Sequence, residues 1–215
     1  MMDKLTDKYR FTKEENKRFA RSNITRLVHT SSRFEGVKTT LPQTQTIIDG
    51  MSVSGVSVED ILTIVNLKHG WQFVINAEDK LSLALEKKIN QIVAPKDLLA
   101  LNQRSEPQII NEQKEDEFLE KTLNDSELST TDKALEIMYH NMRNQMFWDG
   151  NKRSAILAAN KIMIDGGAGL INVPLDKWET WNTLISDYYR TGDNQVLKKW
   201  TYDNGIQGVN VREVK

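Results

Sequence analysis

Residues 145–153 read Gln145-Met146-Phe147-Trp148-Asp149-Gly150-Asn151-Lys152-Arg153. The stretch falls between two helical patterns. Upstream, a cap near Ser129–Thr131 opens a helix carrying Leu135, Met138 and Met142, which runs to Gln145. Downstream, Ala155, Ala159, Ile162 and Met163 recur on one helical face. The nine residues are therefore a loop that feeds a helix N-terminus. Unpaired backbone N–H groups and the positive end of the helix dipole attract phosphate at such a place. Gly150 permits the backbone angles of a tight anion-binding turn. Asp149 offers a hard oxygen ligand for Mg²⁺, which takes one or two carboxylates plus substrate phosphates. Asn151 can donate to a phosphate oxygen, and Lys152 and Arg153 supply cationic charge for a polyphosphate. Phe147 is the apolar anchor that pins the loop to the core. On generic grounds a plain surface turn before a charged helix is an equal reading, because Asp-Gly turns are common.

Working outward, the 215 residues suffice for one domain, or one domain with an arm, and 39% of them are apolar. The 29 basic and 30 acidic residues are interspersed, which argues against a nucleic-acid footprint and against a transcription factor. Cysteine is absent, so disulfides, thiolate nucleophiles and zinc-thiolate sites are excluded. The charged N-terminus has no apolar core of a signal peptide. No apolar run approaches the roughly 18 residues of a membrane span. The expectation is a soluble cytosolic protein with no membrane partner; an oligomer is allowed, but nothing locates its interface.

Residues 1–19 read as a charged helix or arm, solvated because its signs alternate. Ile24, Leu27, Val28 and Ser31 follow at helical spacing. Thr39-Thr40-Leu41-Pro42 and Ser57-Val58-Glu59-Asp60 are helix starts. A helix is expected to end near Asn66-Leu67-Lys68. Leu81, Leu85, Ile89 and Ile92 form another stripe, stopped near Pro95. Residues 96–111 break the helical pattern and predict a small β-hairpin or flap. Helices resume around 113–123. Later stripes of Leu175, Trp178, Trp181, Ile185 and Tyr188, then Val196, Leu197 and Trp200, predict core packing. Gly166-Gly167-Ala168-Gly169 follows a helix instead of opening one, so it is a helix end and turn, not a dinucleotide fingerprint.

The loop resembles the active loop of the Fic/Doc family, whose motif reads H-x-F-x-D/E-G-N-G/K-R. Phe147, Asp149, Gly150, Asn151, Lys152 and Arg153 match it. Ser31-Ser32-Arg33-Phe34-Glu35-Gly36 is similar to the family's inhibitory signature, S/T-x-x-x-E-G/N. The resemblance spans roughly residues 20–205. It implies an all-α, Fic-like helical core with a β-hairpin flap, divided into an N-terminal arm and inhibitory helix (1–36) and a Fic domain (37–215). It implies ATP and Mg²⁺ as ligands, with Asp149 on the metal and Phe147, Gly150, Asn151, Lys152 and Arg153 holding the nucleotide. It further implies transfer of AMP to a Ser, Thr or Tyr hydroxyl of a target protein. The target would lie extended along a flap that includes Arg104, Gln108 and Ile109. Ser31, Glu35 and Gly36 would form an inhibitory element whose Glu35 blocks productive placement of the γ-phosphate.

Three positions depart from the pattern. The histidine that serves as general base is Gln145. A neutral amide cannot take the proton, and that step is worth about 10²–10⁴-fold, although Gln145 can still orient a hydroxyl or water. The unusual Met146 beside it points to a natural variant. No other histidine stands in readily: at ~100° per residue His140 points roughly 140° away from Gln145, His29 is one turn from the inhibitory motif, and His69 lies in a helix-end segment. The distal arginine that grips the γ-phosphate and pairs with the inhibitory glutamate is Ile156, which leaves Lys152 or Arg153 to take over. Lys152 itself resembles the Doc branch, which transfers phosphate. Three functions therefore stay open: a slow protein adenylyltransferase, a Doc-like protein phosphotransferase, and a non-catalytic nucleotide-binding regulator or interaction module.

Overall fold

The computed structural model describes residues 4–95 and 111–210. Helices dominate, as the patterning predicts: α1 (Lys13–Ser22), α2 (Ile24–Ser32), α3 (Leu41–Ile48), α4 (Val58–Asn76), α5 (Leu83–Val93), α6 (Glu112–Asn124), α7 (Thr130–Asn144), α8 (Asn151–Gly166), α9 (Trp178–Thr191) and α10 (Gln195–Gly205). Hydroxyl side chains start five of them. Thr12, Thr40, Ser57, Ser82 and Ser129 each accept a hydrogen bond from a first-turn N–H, and Thr12 and Thr40 complete capping boxes with Glu15 and Gln43.

The fold is organised around α8. Every residue from Arg153 to Ile164 is buried, so this helix is enclosed by α7, α5, α4 and α1 instead of presenting the single apolar face expected of it. Ala155, Ala158 and Ala159 keep its girth small enough for close approach. Its polar residues are satisfied locally. Asn160 donates to the carbonyls of Ile156 and Ile171 and accepts from Ile171 N. Lys161 reaches Ala77 O at 2.7 Å and Asp165 at 2.8 Å. Asn160 thereby fixes β1 (Leu170–Ile171), which pairs antiparallel with β2 (Ile206–Gln207), Leu170 opposite Gln207. Gly167 ends α8 in the left-handed region at φ 67°, and Phe11 O lies where a Cβ would sit.

Several expectations change. Among the described residues the charged N-terminus is an irregular arm up to Thr12, after which α1 buries Asn16, Lys17 and Ala20 and is not simply solvated. The helix expected to end near Lys68 continues to Asn76, which puts His69 in mid-helix. The next residue, Gly70, is a packing glycine: an added Cβ would lie 2.6 Å from Val93 and 2.7 Å from Leu157. On α5 the buried position is Val93, with Ile92 only half-buried. Trp181, Ile185, Tyr188 and Leu197 are core residues, but Val196 is exposed and Leu175, Trp178 and Trp200 are half-buried. The expected hairpin, with Arg104, Gln108 and Ile109, lies outside the described residues; the small sheet seen is a different element. No described helix is long and apolar enough to cross a membrane.

Asn160→Ala should lower unfolding stability by about 2–4 kcal/mol, because it strands the buried N–H and C=O of Ile171. Chemical denaturation checks this; a loss no larger than that of an exposed Asn substitution would contradict the role assigned to Asn160.

Candidate nucleotide site

The loop begins where α7 ends. Gln145 caps the helix with φ 47° and ψ 58°, an uncommon conformation for a residue other than glycine. It leaves Gln145 exposed and turns Met146 and Phe147 inward, where they are 3% and 4% exposed. The anchoring role expected of Phe147 has this basis. Asn151 then closes the loop on itself: it accepts from Phe147 N at 2.8 Å and donates to Phe147 O at 2.7 Å. The side chain expected to meet a ligand thus braces the loop that would hold it.

Gly150 is required at its position. Its φ is 73°, and a Cβ would fall 2.6 Å from Ala94 Cβ and 3.1 Å from Asn90 Nδ2. The Ala94 methyl makes the closer contact, and Asn90 is held beside it because it donates to Asp149 O at 2.8 Å and to Ser154 Oγ at 3.1 Å. Behind the loop, Glu86 shares a closed gap with Asn141, Met146, Phe147, Asn151 and Ser154, too tight for a water molecule. Glu86 Oε1 accepts from Asn141 Nδ2 at 2.9 Å. Glu86 and Asn90 were not among the residues expected from the sequence. The available signal was two polar residues four apart on the core face of α5, beside Leu85 and Ile89.

Arg153 sits in the first turn of α8, with its side chain only 8% exposed. Nη1 donates to Val93 O at 2.6 Å, and Nη2 to Asp149 Oδ1 and Oδ2 at 2.9 and 3.0 Å. Nε lies 3.0 Å from Glu35 Oε1. That contact is an attraction of charges without hydrogen-bond alignment, so the buried Nε–H still has no acceptor. Two motifs far apart in sequence therefore meet at one guanidinium. Asp149 is 72% exposed and also accepts from Gly150 N at 2.6 Å. Lys152 is half-buried and makes no ion pair among the described residues. Ile156, where a second arginine was expected, is buried in the core.

The segment bearing Glu35 is built to reach this point. Ser31 is buried and accepts from Trp71 Nε1 at 3.2 Å. The chain then tightens into a 3-10 turn, Arg33–Glu35, closed by Gly36 at φ 78°. The histidines are engaged elsewhere. His140 pairs with Glu115 at 2.7 Å and stacks on Phe118, while His29 bonds Thr39 O at 2.7 Å. His69 lines a shallow surface groove with Gln72 and Phe73. Burial pushes the Glu115 carboxyl up, but the His140 and Asn144 hydrogen bonds and the imidazole's charge outweigh it and leave it below the usual range.

Burial likewise pushes Glu86 up, to about 8; Asn141 opposes this and the charges of Glu115 and Asp116 add to it. In the unfolded chain the same carboxyl ionises near ~4.3. Between these values only the unfolded state releases the proton. Stability from Glu86 is complete below the lower value and lost as pH rises through the upper one. Glu86→Gln should therefore match the parent protein near pH 4 and unfold with about 1–3 kcal/mol more stability at pH 8, part of the full linkage because the loop relaxes around a charge. Thermal melts at both pH values test this, and equal melting at pH 8 would contradict it.

Residues 87–163, which include the loop and α7, match the family model described as Fic/DOC family. No curated protein matches the chain. Among solved structures, the Fic-1 segment 134–508 from C. elegans is similar at 20% identity with a TM-score of 0.72, over 86% of this chain and 60% of that one. A glutamate-to-glycine variant of that segment gives 19%, 0.72, 87% and 61%. A Fic domain containing signaling protein from Bacteroides thetaiotaomicron gives 16%, 0.68, 88% and 83%. The chain thus spans about 60% of the length of the Fic-1 structures, and at these identities the likeness concerns the fold. The match to the Fic/DOC family model thus covers the central part of the chain, with the loop near its C-terminal end, and the fold is shared with Fic-domain structures over most of the chain.

Proposed function

We propose that this protein binds ATP with Mg²⁺ at the loop 147–153 and transfers the AMP group, slowly, to a Ser, Thr or Tyr hydroxyl of a target protein. The observation that carries the reading is the Arg153 guanidinium. It is buried at a helix N-terminus, holds one exposed carboxylate, and points an unpaired Nε–H into the site. A phosphate oxygen would satisfy that N–H. In the present arrangement Glu35 is the anion beside it.

The donor set suits Mg²⁺. Asp149 supplies one accessible carboxylate, and no cluster of three or more His, Cys, Asp or Glu side chains competes for a metal among the described residues. The remaining ligands would be phosphate oxygens, and the bound ion would offset charge building on the leaving pyrophosphate. Arg153 and the first-turn N–H groups of α8 would grip the phosphates, and Lys152 would add charge from the rim. In the transfer, the target hydroxyl oxygen bonds to the α-phosphorus and the bond to pyrophosphate breaks. Gln145 can hold that hydroxyl but cannot take its proton, which must pass to solvent or to a group on the target. Glu35 blocks the step while it occupies Arg153.

A second reading, a nucleotide-binding regulator without transfer, is favoured by Gln145 and by the engagement of His140 with Glu115 and Asn144 and of His29 with Thr39 O. Calorimetric titration with ATP and Mg²⁺ should show binding that weakens at least about tenfold in Asp149→Ala. No binding in either protein would defeat the nucleotide reading altogether. Gln145→His should speed transfer by about 10²–10⁴-fold, with mass spectrometry of modified targets as the readout. A gain of AMP supports the transferase, a gain of phosphate makes it Doc-like, and no product despite tight binding selects the regulator.

A further inference from the structure

The contact between Glu35 and Arg153 is too weak to hold the inhibitory turn by itself. Glu35 is 29% exposed, and its approach to Nε lacks hydrogen-bond alignment. Water and salt reach the pair only from the Glu35 side, so the missing hydrogen-bond alignment is what keeps it weak. The turn's backbone adds only short-range bonds, Gly36 N to Arg33 O and Val37 N to Ser32 O. Between Arg33 and Glu35, however, the turn carries Phe34, whose ring lies 5.1 Å from Trp178 and 5.2 Å from Trp181. The two tryptophans stack on each other at 5.1 Å. Trp181 is 1% exposed, and its Nε1 donates to Tyr139 OH on α7. The clamp is therefore fixed to the helix that ends at the loop.

We infer that Phe34, seated against Trp178 and Trp181, is the latch that positions Glu35 on Arg153, and that Phe34 must withdraw before the loop can take its nucleotide fully. The inference rests on the proposed nucleotide site and on Glu35 as its blocking carboxylate. Phe34 and Glu35 are adjacent in a three-residue turn, so one cannot swing away far without the other. The place where the latch opens is accessible. Trp178 also lines an open groove of about 570 Å³ beside the turn, with Arg33, Gly36, Lys38 and Lys177 on its walls. The two aromatic contacts, each giving about a threefold bias, multiply to about tenfold between the closed and open turn.

The test uses the full chain with Phe34→Leu, which keeps apolar volume but loses the ring pairing, and Phe34→Tyr, which keeps the ring. Affinity for ATP with Mg²⁺ is measured by calorimetry, and hydrogen exchange is followed at the Gly36 and Val37 amides. Phe34→Leu should bind about tenfold tighter and exchange both amides faster by a similar factor, whereas Phe34→Tyr stays at the parent value. In the double variant with Glu35→Gly, affinity should not exceed that of Glu35→Gly alone, because the latch works only through Glu35. Unchanged affinity in Phe34→Leu beside a gain in Glu35→Gly overturns the latch and leaves the nucleotide site standing. Additive gains in the double variant overturn it too. If no variant binds ATP, the nucleotide reading fails, and unaccelerated exchange at Gly36 and Val37 then overturns the latch as closure of the turn.

Discussion

Arg153 cannot shed its charge, so the cost of burying its guanidinium has to be met by partners. Three arrive from three parts of the chain: the Val93 carbonyl at the end of α5, Asp149 in the loop, and Glu35 in the 3-10 turn Arg33–Glu35. The carbonyl is the constant partner, since it belongs to a helix end packed in the core. The two carboxylates are exchangeable, because Asp149 is mostly exposed and Glu35 partly so. One buried cation thereby ties the position of the loop, the turn bearing Glu35 and the end of α5 together. The residue that would recognise phosphate is the residue whose burial the fold must compensate.

That compensation depends on the layer beneath the loop. Asn90 holds the Asp149 carbonyl and Ser154, and the space above it admits only glycine at 150. Glu86, one turn earlier on α5, fills the gap behind Phe147 as a neutral acid, which is the form that burial favours. Asn141 joins this acid to α7, four residues before Gln145. The left-handed turn at Gln145 is thus supported from below, and the exposed side chains are presented by a rigid base.

The loop and the fold class were legible because each rests on local chemistry. Gly150 before a helix start, Phe147 as an anchor and the hydroxyl caps are read from neighbours in sequence. The enclosure of α8 was not, because burial on all sides arises from where α1, α4, α5 and α7 pack and leaves little local sign. In sequence Asn151 reads as a ligand donor, yet its side chain is occupied by Phe147, a pairing that needs the loop's actual curvature. Gly70 shows the same limit: a glycine in mid-helix reads as a weak point until the side chains of Val93 and Leu157 are seen to need its space. The Glu35–Arg153 contact was foreseen only as one of two choices, Lys152 or Arg153. Burial decided it, because Arg153 points inward toward Val93 while Lys152 stays at the rim.

The buried Ile156 sharpens what that choice means. A loop with two arginines could give one to the phosphates and the other to the inhibitory glutamate. Here α8 commits position 156 to the core, so on the proposed reading a single guanidinium serves both. Nucleotide and Glu35 then compete for the same N–H groups, and their mutual exclusion is direct. Linkage makes the effect reciprocal: whatever weakens the closed turn tightens nucleotide binding by the same factor, and bound nucleotide opens the turn to the same degree. Asp149 extends the coupling. Its carboxylate leans on Arg153 as Glu35 does, so a cation drawing Asp149 away would leave Arg153 more dependent on its other anion. In the structure that anion is Glu35, and on the proposed reading a bound phosphate would replace it. The metal alone would then favour closure and the nucleotide opening, a difference in sign that follows from three charged groups sharing one buried guanidinium.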